Sequence, residues 1–331
     1  MNTTFSKRRK SLIVTGVAVA AAVGVAGAAI PAFAAGNQGM GHADHVGHAD
    51  HVGHADHVGQ AGTVLAAGLR GANEVPAQGG PAVGDKDGTA LEFIKVKGAK
   101  VSVAVTWRGT GRPIMLHIHQ GAKGTNGGVK IDFSKLLDHV KGHSVVGSVK
   151  VADPALLKQV TTDPGSFYAN LHTAEFPGGA ARGQLHKVTT AFDFRHVLDN
   201  FQASVVKGRQ IYECKPADGG GHAFAQRDVS ALLGGGIRHS FVKPNSGTPQ
   251  WVAPDGSAVT GAFLTKTPNG DGNIPELDLK ATGAGRHHGL LVNTAEILRL
   301  NTVGGTAPTG SCIPGTIVGV PYQADYVFVQ H

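Results

Sequence analysis

Beyond its first ten residues this sequence has no cluster of basic residues. Lys and Arg total 30 against 23 Asp and Glu. Lys7, Arg8, Arg9 and Lys10 all sit at the start, and without those four the excess falls from +7 to +3. A nucleic-acid footprint needs Lys and Arg gathered together, so no nucleic-acid partner is expected. No long amphipathic helical pattern occurs. The chain also lacks a G-x-S-x-G elbow, an H-E-x-x-H pair and a P-loop, which removes the corresponding hydrolase, zinc-protease and nucleotide readings. Cysteine is scarce, with Cys214 and Cys312 alone. In an oxidising compartment such a pair tends to be bridged. Closing so long a loop contributes about 4–5 kcal/mol in the chain-entropy account. Both cysteines lie in the second half, so that half alone would be stapled. None lies near the start, which argues against a lipid-anchored form.

What is present begins with an export layout. The basic start precedes an uncharged run from Leu12 to Ala34, which ends in Ala32-Phe33-Ala34. A charged start, an apolar run and a small-x-small end predict a signal peptide over residues 1–34. A membrane anchor is the competing reading of a run this long. Arg8-Arg9 hints at the twin-arginine route. Cleavage would leave a secreted, extracellular or cell-wall-associated protein with no membrane contact. Residues 41–58 then read GHADHV three times, placing His42, His45, His48, His51, His54 and His57 at every third position. In a helix of three residues per turn all six line one face. The segment 35–62 has little to bury and is expected to be disordered. Its histidines suit divalent late transition metals.

After Gly62 the texture changes to short strands and turns. Gly is 49 of 331 residues, about twice the average share. Val101, Val103, Val105 and Trp107 alternate with smaller or polar residues, the pattern of a half-buried strand. Met115 to His119 and Phe167 to Thr173 read similarly, and Asp153-Pro154 opens a short capped helix. The expected class is all-β, as two β-rich domains. We place the first at 63–186, a linker at 187–207 and the second at 208–331. Phe192, Phe194, Val197 and Leu198 suggest that the linker is partly packed.

Each domain resembles a known family. In the first, Leu69-Arg70-Gly71-Ala72-Asn73-Glu74-Val75-Pro76, Gly88-Thr89-Ala90 and His117-Ile118-His119 are followed by Tyr168-Ala169-Asn170-Leu171-His172-Thr173 and Phe176-Pro177-Gly178-Gly179. Arg182-Gly183-Gln184-Leu185 closes the series. This segment resembles the CHRD (chordin) domain. The resemblance implies an immunoglobulin-like or superoxide-dismutase-like β-sandwich with no established enzymatic activity. Ala180-Ala181 stand where Glu-Ile is usual. In the second, Gln210-Ile211-Tyr212-Glu213-Cys214, Arg299-Leu300-Asn301-Thr302 and Val320-Pro321-Tyr322-Gln323-Ala324-Asp325-Tyr326 resemble an exported family, domain of unknown function 3455. That resemblance implies a β-rich module, sandwich or barrel, and no mechanism. Glu276 replaces a tryptophan expected after Ile274-Pro275.

The sharpest candidate site is His117, His119 and His172. Residues two apart on a strand share a face, so His117 and His119 project together while Leu116 and Ile118 face the core. Tyr168, Asn170 and His172 share the face opposite Phe167, Ala169 and Leu171. Three imidazoles of this kind would hold copper or zinc. Asp138, His139 and His143 form a weaker second cluster. Asn269-Gly270-Asp271-Gly272-Asn273 reads as a turn, since Ile274 replaces the glycine a calcium loop needs. Glu74 has no partner carboxylate and reads as a loop residue. These observations lead to the expectation of a non-enzymatic exported binding protein with transition-metal capacity. The alternatives are a superoxide-dismutase-like oxidoreductase, and a structural or adhesive module contacting cell-wall polymer or extracellular protein.

Overall fold

A computed structural model describes residues 62–138 and 140–331. The expected signal peptide, the six repeat histidines His42 to His57, and His139 lie outside the described residues. Nine strands build the first body: β1 (Thr63–Arg70), β2 (Thr89–Lys97), β3 (Lys100–Arg108), β4 (Pro113–Gln120), β5 (Val129–Asp132), β6 (Ser144–Lys150), β7 (Phe167–Thr173), β8 (Ala181–Gln184) and β9 (His186–Val188). They form one ladder in the order β5-β4-β7-β8-β1-β2-β3-β6, with β9 beside β1. The ladder folds back on itself at β1. That strand meets β8 at a single pair, Arg70 with Arg182, and β9 over Val64–Ala66. Inward side chains of the two layers therefore share one core. Leu65, Val101, Val103, Val105 and Trp107 pack with Leu116, Ile118, Phe167, Ala169 and Leu171. This is a β-sandwich. One helix, α1 (Pro154–Thr162), closes an end. Asp153 caps it by accepting from the N–H groups of Ala155 and Leu156, and Leu157 and Val160 bury its apolar face.

The second body is a closed antiparallel barrel. Its strands are β10 (Phe201–Pro216), β11 (His222–Leu233), β12 (Arg238–Phe241), β13 (Pro249–Val252), β14 (Ala258–Thr267), β15 (Glu276–Gly283), β16 (Thr294–Gly304) and β17 (Ile317–Gln330). Each pairs with its neighbour in sequence, and β17 returns to β10. Closure removes the exposed edges that an open sheet would carry. Trp251, Tyr326, Phe328, Leu279 and Ile297 fill the interior. Cys214 and Cys312 are bridged, tying β10 to the loop between β16 and β17 across 98 positions. Among the described residues no helix is long and apolar enough to cross a membrane.

The two bodies are packed together. On the outer face of β1, β2 and β3, Val64, Ala66, Leu91, Phe93 and Ala104 meet Leu298, Leu300, Val327 and Val329 of β16 and β17. That contact explains why Ala104, on the face expected to be solvated, is buried. The segment 187–207 is largely structured. A 3-10 helix spans Phe194–Asp199, and β10 starts at Phe201. Phe192, Phe194 and Val197 join the apolar layer, while Leu198 is exposed. Polar contacts lock the same seam. Arg70 pairs with the fully buried Asp325. Asn301, at a left-handed φ of 51°, donates to Gly68 O and Asp325 and accepts from Asn73. Gly68 lets the strands approach there: a Cβ would lie 2.8 Å from Gln202 Oε1 of β10, and that side chain would have to move.

Candidate metal centre

Register places the site. Across the β4–β7 pair, His117 lies opposite Asn170, His119 opposite Tyr168, and Met115 opposite His172. Leu116, Ile118, Phe167, Ala169 and Leu171 point into the core, so the polar residues between them share the outer face of this layer. Strands β5 and β8 extend that face, setting Asp132 beside His117 and Arg182 beside Asn170. A bare outer face would be wet. Here the three histidines are only 7–9% exposed. Chain around Gly127 and Pro177 touches two of the rings, and Asn126 ties its loop to Val75 O.

The three imidazoles converge. One ring nitrogen from each of His117, His119 and His172 lies within 4.8 Å of the others. Their outer nitrogens are all occupied. His119 Nδ1 donates to Gly127 O at 2.9 Å, and His172 Nδ1 donates to Pro177 O at 3.1 Å. His117 Nε2 lies 3.3 Å from Ser134 Oγ and 3.5 Å from an Asp132 carboxylate oxygen. A carbonyl accepts, so Nδ1 of His119 and Nδ1 of His172 carry the proton, while the Ser134 hydroxyl can donate to His117 Nε2 or accept from it. The inner nitrogens of His119 and His172 are then bare lone pairs.

Two consequences follow. His119 Nε2 is buried with no hydrogen-bond partner. His117 Nδ1 and His172 Nε2 face each other at 3.3 Å, a hydrogen bond when His117 carries its proton on Nδ1 and two lone pairs open to a cation when it carries it on Nε2. Burial lowers the basicity of all three rings, keeping them neutral, and pushes His172 down to about 4. For comparison, two nitrogens bound to one tetrahedral zinc at ~2.05 Å are about 3.3 Å apart. Outer N–H groups held by carbonyls or carboxylate are the arrangement that orients imidazole ligands for a metal.

A polar surround supports the rings. His119 stacks on Tyr168 at 4.9 Å and 7°. The guanidinium carbon of Arg182 lies 3.4 Å from the centroid of the Tyr168 ring. Arg182 is anchored by Asn126 Oδ1, Ala122 O and Thr125 O. Asn170 Oδ1 and Glu74 Oε1 are buried oxygens without partners. Burial raises Glu74 to about 7 against the opposing pull of Arg182 and Asn170. Gly179, at φ 134°, leaves room for that carboxylate, which a Cβ would meet at 2.4 Å.

The other sequence candidates lie apart from this cluster. Asp138 and His143 are exposed. Asn269 is buried and donates to Thr302, and Asn273 donates back to Asn269 O, the bonds of a turn. Sequence reading missed Asp132, Ser134 and Tyr168 as parts of the site. Asp132 is signalled only by strand register, which the sequence does not print. Ala180 and Ala181 are fully buried. Glu276 faces the seam between the bodies, 3.4 Å from His186 Nε2.

No curated protein and no solved structure matches the chain. Family models do match, in the order the motifs suggest: residues 65–185 match the CHRD domain, and residues 233–330 match the family described as Protein of unknown function (DUF3455).

Proposed function

We propose that this is an exported, non-enzymatic binding protein that holds one late transition-metal ion, copper or zinc, through His117 Nδ1, His119 Nε2 and His172 Nε2. One observation carries the reading: three buried imidazoles converge, with one ring nitrogen of each within 4.8 Å of the others. An all-imidazole set of this kind suits zinc or copper over magnesium or calcium, which prefer oxygen. The repeat from His42 to His57 would add weak, exchangeable sites on sequence grounds. Export is supported by the leader pattern, and the bridged Cys214–Cys312 pair fits an oxidising compartment.

Elemental analysis of residues 35–331 after dialysis against a weak chelator tests this. Three forms are compared: the intact sequence, a deletion of 41–58, and the triple variant H117A/H119A/H172A. The expected result is about one copper or zinc retained by the deletion and lost by the triple variant. Metal that disappears with the repeat sinks the folded site. It would turn attention to wall polymer or protein partners, tested by pulldown on purified wall. Superoxide turnover by the metal-loaded protein would favour the oxidoreductase reading instead.

A further inference from the structure

Side chains leave part of the barrel interior unfilled. A cavity of about 340 Å³ lies among residues of β10 to β17, within the ~300–1,000 Å³ range of small-ligand sites. Its apolar wall is aromatic. Trp251 and His239 stack with centroids 4.4 Å apart at 3°, and Tyr326 meets both at a steep angle. Phe263 lines the same cavity and is exposed despite its size.

The polar groups of the wall are one-sided. Arg299 shares the inward face of β16 with Ile297. It is buried and donates twice to Pro275 O, at 3.2 and 2.8 Å. Among the described residues no Asp or Glu forms an ion pair with it. A buried cation without an anion is strongly unfavourable. Gln210 and Trp251 are essentially inaccessible, and Gln210 Nε2 and Trp251 Nε1 have no acceptor. Gln210 Oε1 is already taken by Gln226, which leaves its amide N–H groups over. His239 offers no competing charge: burial pushes it down to about 3, and its Nδ1 donates to Gln250 O. The wall thus presents spare donors and a positive charge beside flat apolar surface.

We infer that the barrel binds a small organic carboxylate with a flat apolar body, the carboxylate held by Arg299, Gln210 and Trp251 and the body lying against the aromatic wall. Buried N–H donors and a cation left unpaired select an acceptor of opposite charge. The site is separate from the three histidines and does not depend on a metal.

The test uses residues 35–331 and two probes of one shape, 2-naphthoate and 2-naphthamide, by calorimetry and tryptophan fluorescence. The acid is expected to bind at least about tenfold more tightly than the amide, the advantage of a charge-assisted contact. R299Q should abolish that preference, bringing the acid down to the affinity of the amide. Because R299Q also removes two bonds to Pro275 O, Q210L serves as the second variant. It deletes a spare donor and should weaken the acid roughly threefold to tenfold. H117A/H119A/H172A should bind the acid normally. Equal binding of acid and amide, acid binding unchanged in both barrel variants, or no binding of either probe at millimolar concentration would overturn the inference.

Discussion

At the scale of single residues, the candidate metal centre depends on which nitrogen of each ring holds the proton. Backbone carbonyls settle that for His119 and His172, while His117 relies on side chains, Asp132 and Ser134. Backbone acceptors survive mutation, but Asp132 can be removed. D132N should retain the fold, since its side chain is largely exposed. It should weaken zinc or copper affinity by about tenfold to a hundredfold, the usual effect of losing a group that orients a ligand. Competition with a chromophoric chelator would show this. Unchanged affinity in D132N would mean that His117 does not bind through Nδ1. The three histidines themselves were legible in the sequence, because the H-x-H spacing fixes a shared strand face. The third histidine came from the same alternation on another strand. Its distance from the first two depended on β4 and β7 pairing in one register.

At the scale of an element, β2 carries an unusual burden. Glu92 shares the inward face of β2 with Ala90 and Ile94, is fully buried, and has no partner for either oxygen. Burial raises its carboxyl from 4.5 to about 8. Below 4.5 both the folded and unfolded chains hold this proton, and the residue is neutral to stability. Between 4.5 and about 8 the unfolded chain ionises while the folded chain keeps the proton, so stability falls as pH rises. At pH 7 the penalty is roughly 3 kcal/mol. Glu74, raised to about 7, acts in the same direction, and the lowered histidines act in the opposite one. The difference between the wild type and E92Q isolates Glu92. Urea titrations from pH 5 to pH 8 should show E92Q gaining stability relative to the wild type as pH rises. A constant difference across that range would show that Glu92 is ionised, or paired, in the folded protein. Sequence patterning could not have flagged this residue. A Glu within an alternating strand reads as solvent-facing, and only the doubly covered sheet turns that position inward.

At the scale of the whole molecule, sandwich and barrel share an apolar layer and a buried polar knot. Asp325 stands at its centre, accepting from Arg70 of the sandwich and from Ser204 and Asn301 of the barrel. D325A leaves those donors without their anion. Breaking a buried pair from one side costs about 3–5 kcal/mol. The wild type is expected to unfold in one calorimetric transition. D325A should unfold at lower temperature and in two, as the bodies uncouple. A single transition at an unchanged temperature in D325A would show that Leu298, Leu300, Val327 and Val329 hold the seam without the knot. The barrel cavity also belongs to this scale. Arg299, Gln210 and Trp251 stand far apart in sequence and meet only when β17 closes on β10.

The sequence by itself determined the all-β class, the strand faces around His117 and His172, the capped helix at Asp153, and the two cysteines that pair. These follow from local rules: side chains alternate along a strand, a carboxylate caps a helix start, and two thiols in one domain have one partner each. The tertiary structure alone decided which outer faces are dry. Ala104 and the donors around Asp325 are buried because a second body covers the sandwich. Contacts between strands distant in sequence leave no periodic trace in either strand, so the seam, Asp132 beside His117 and the cavity with its unpaired Arg299 became visible only once the strands were placed side by side.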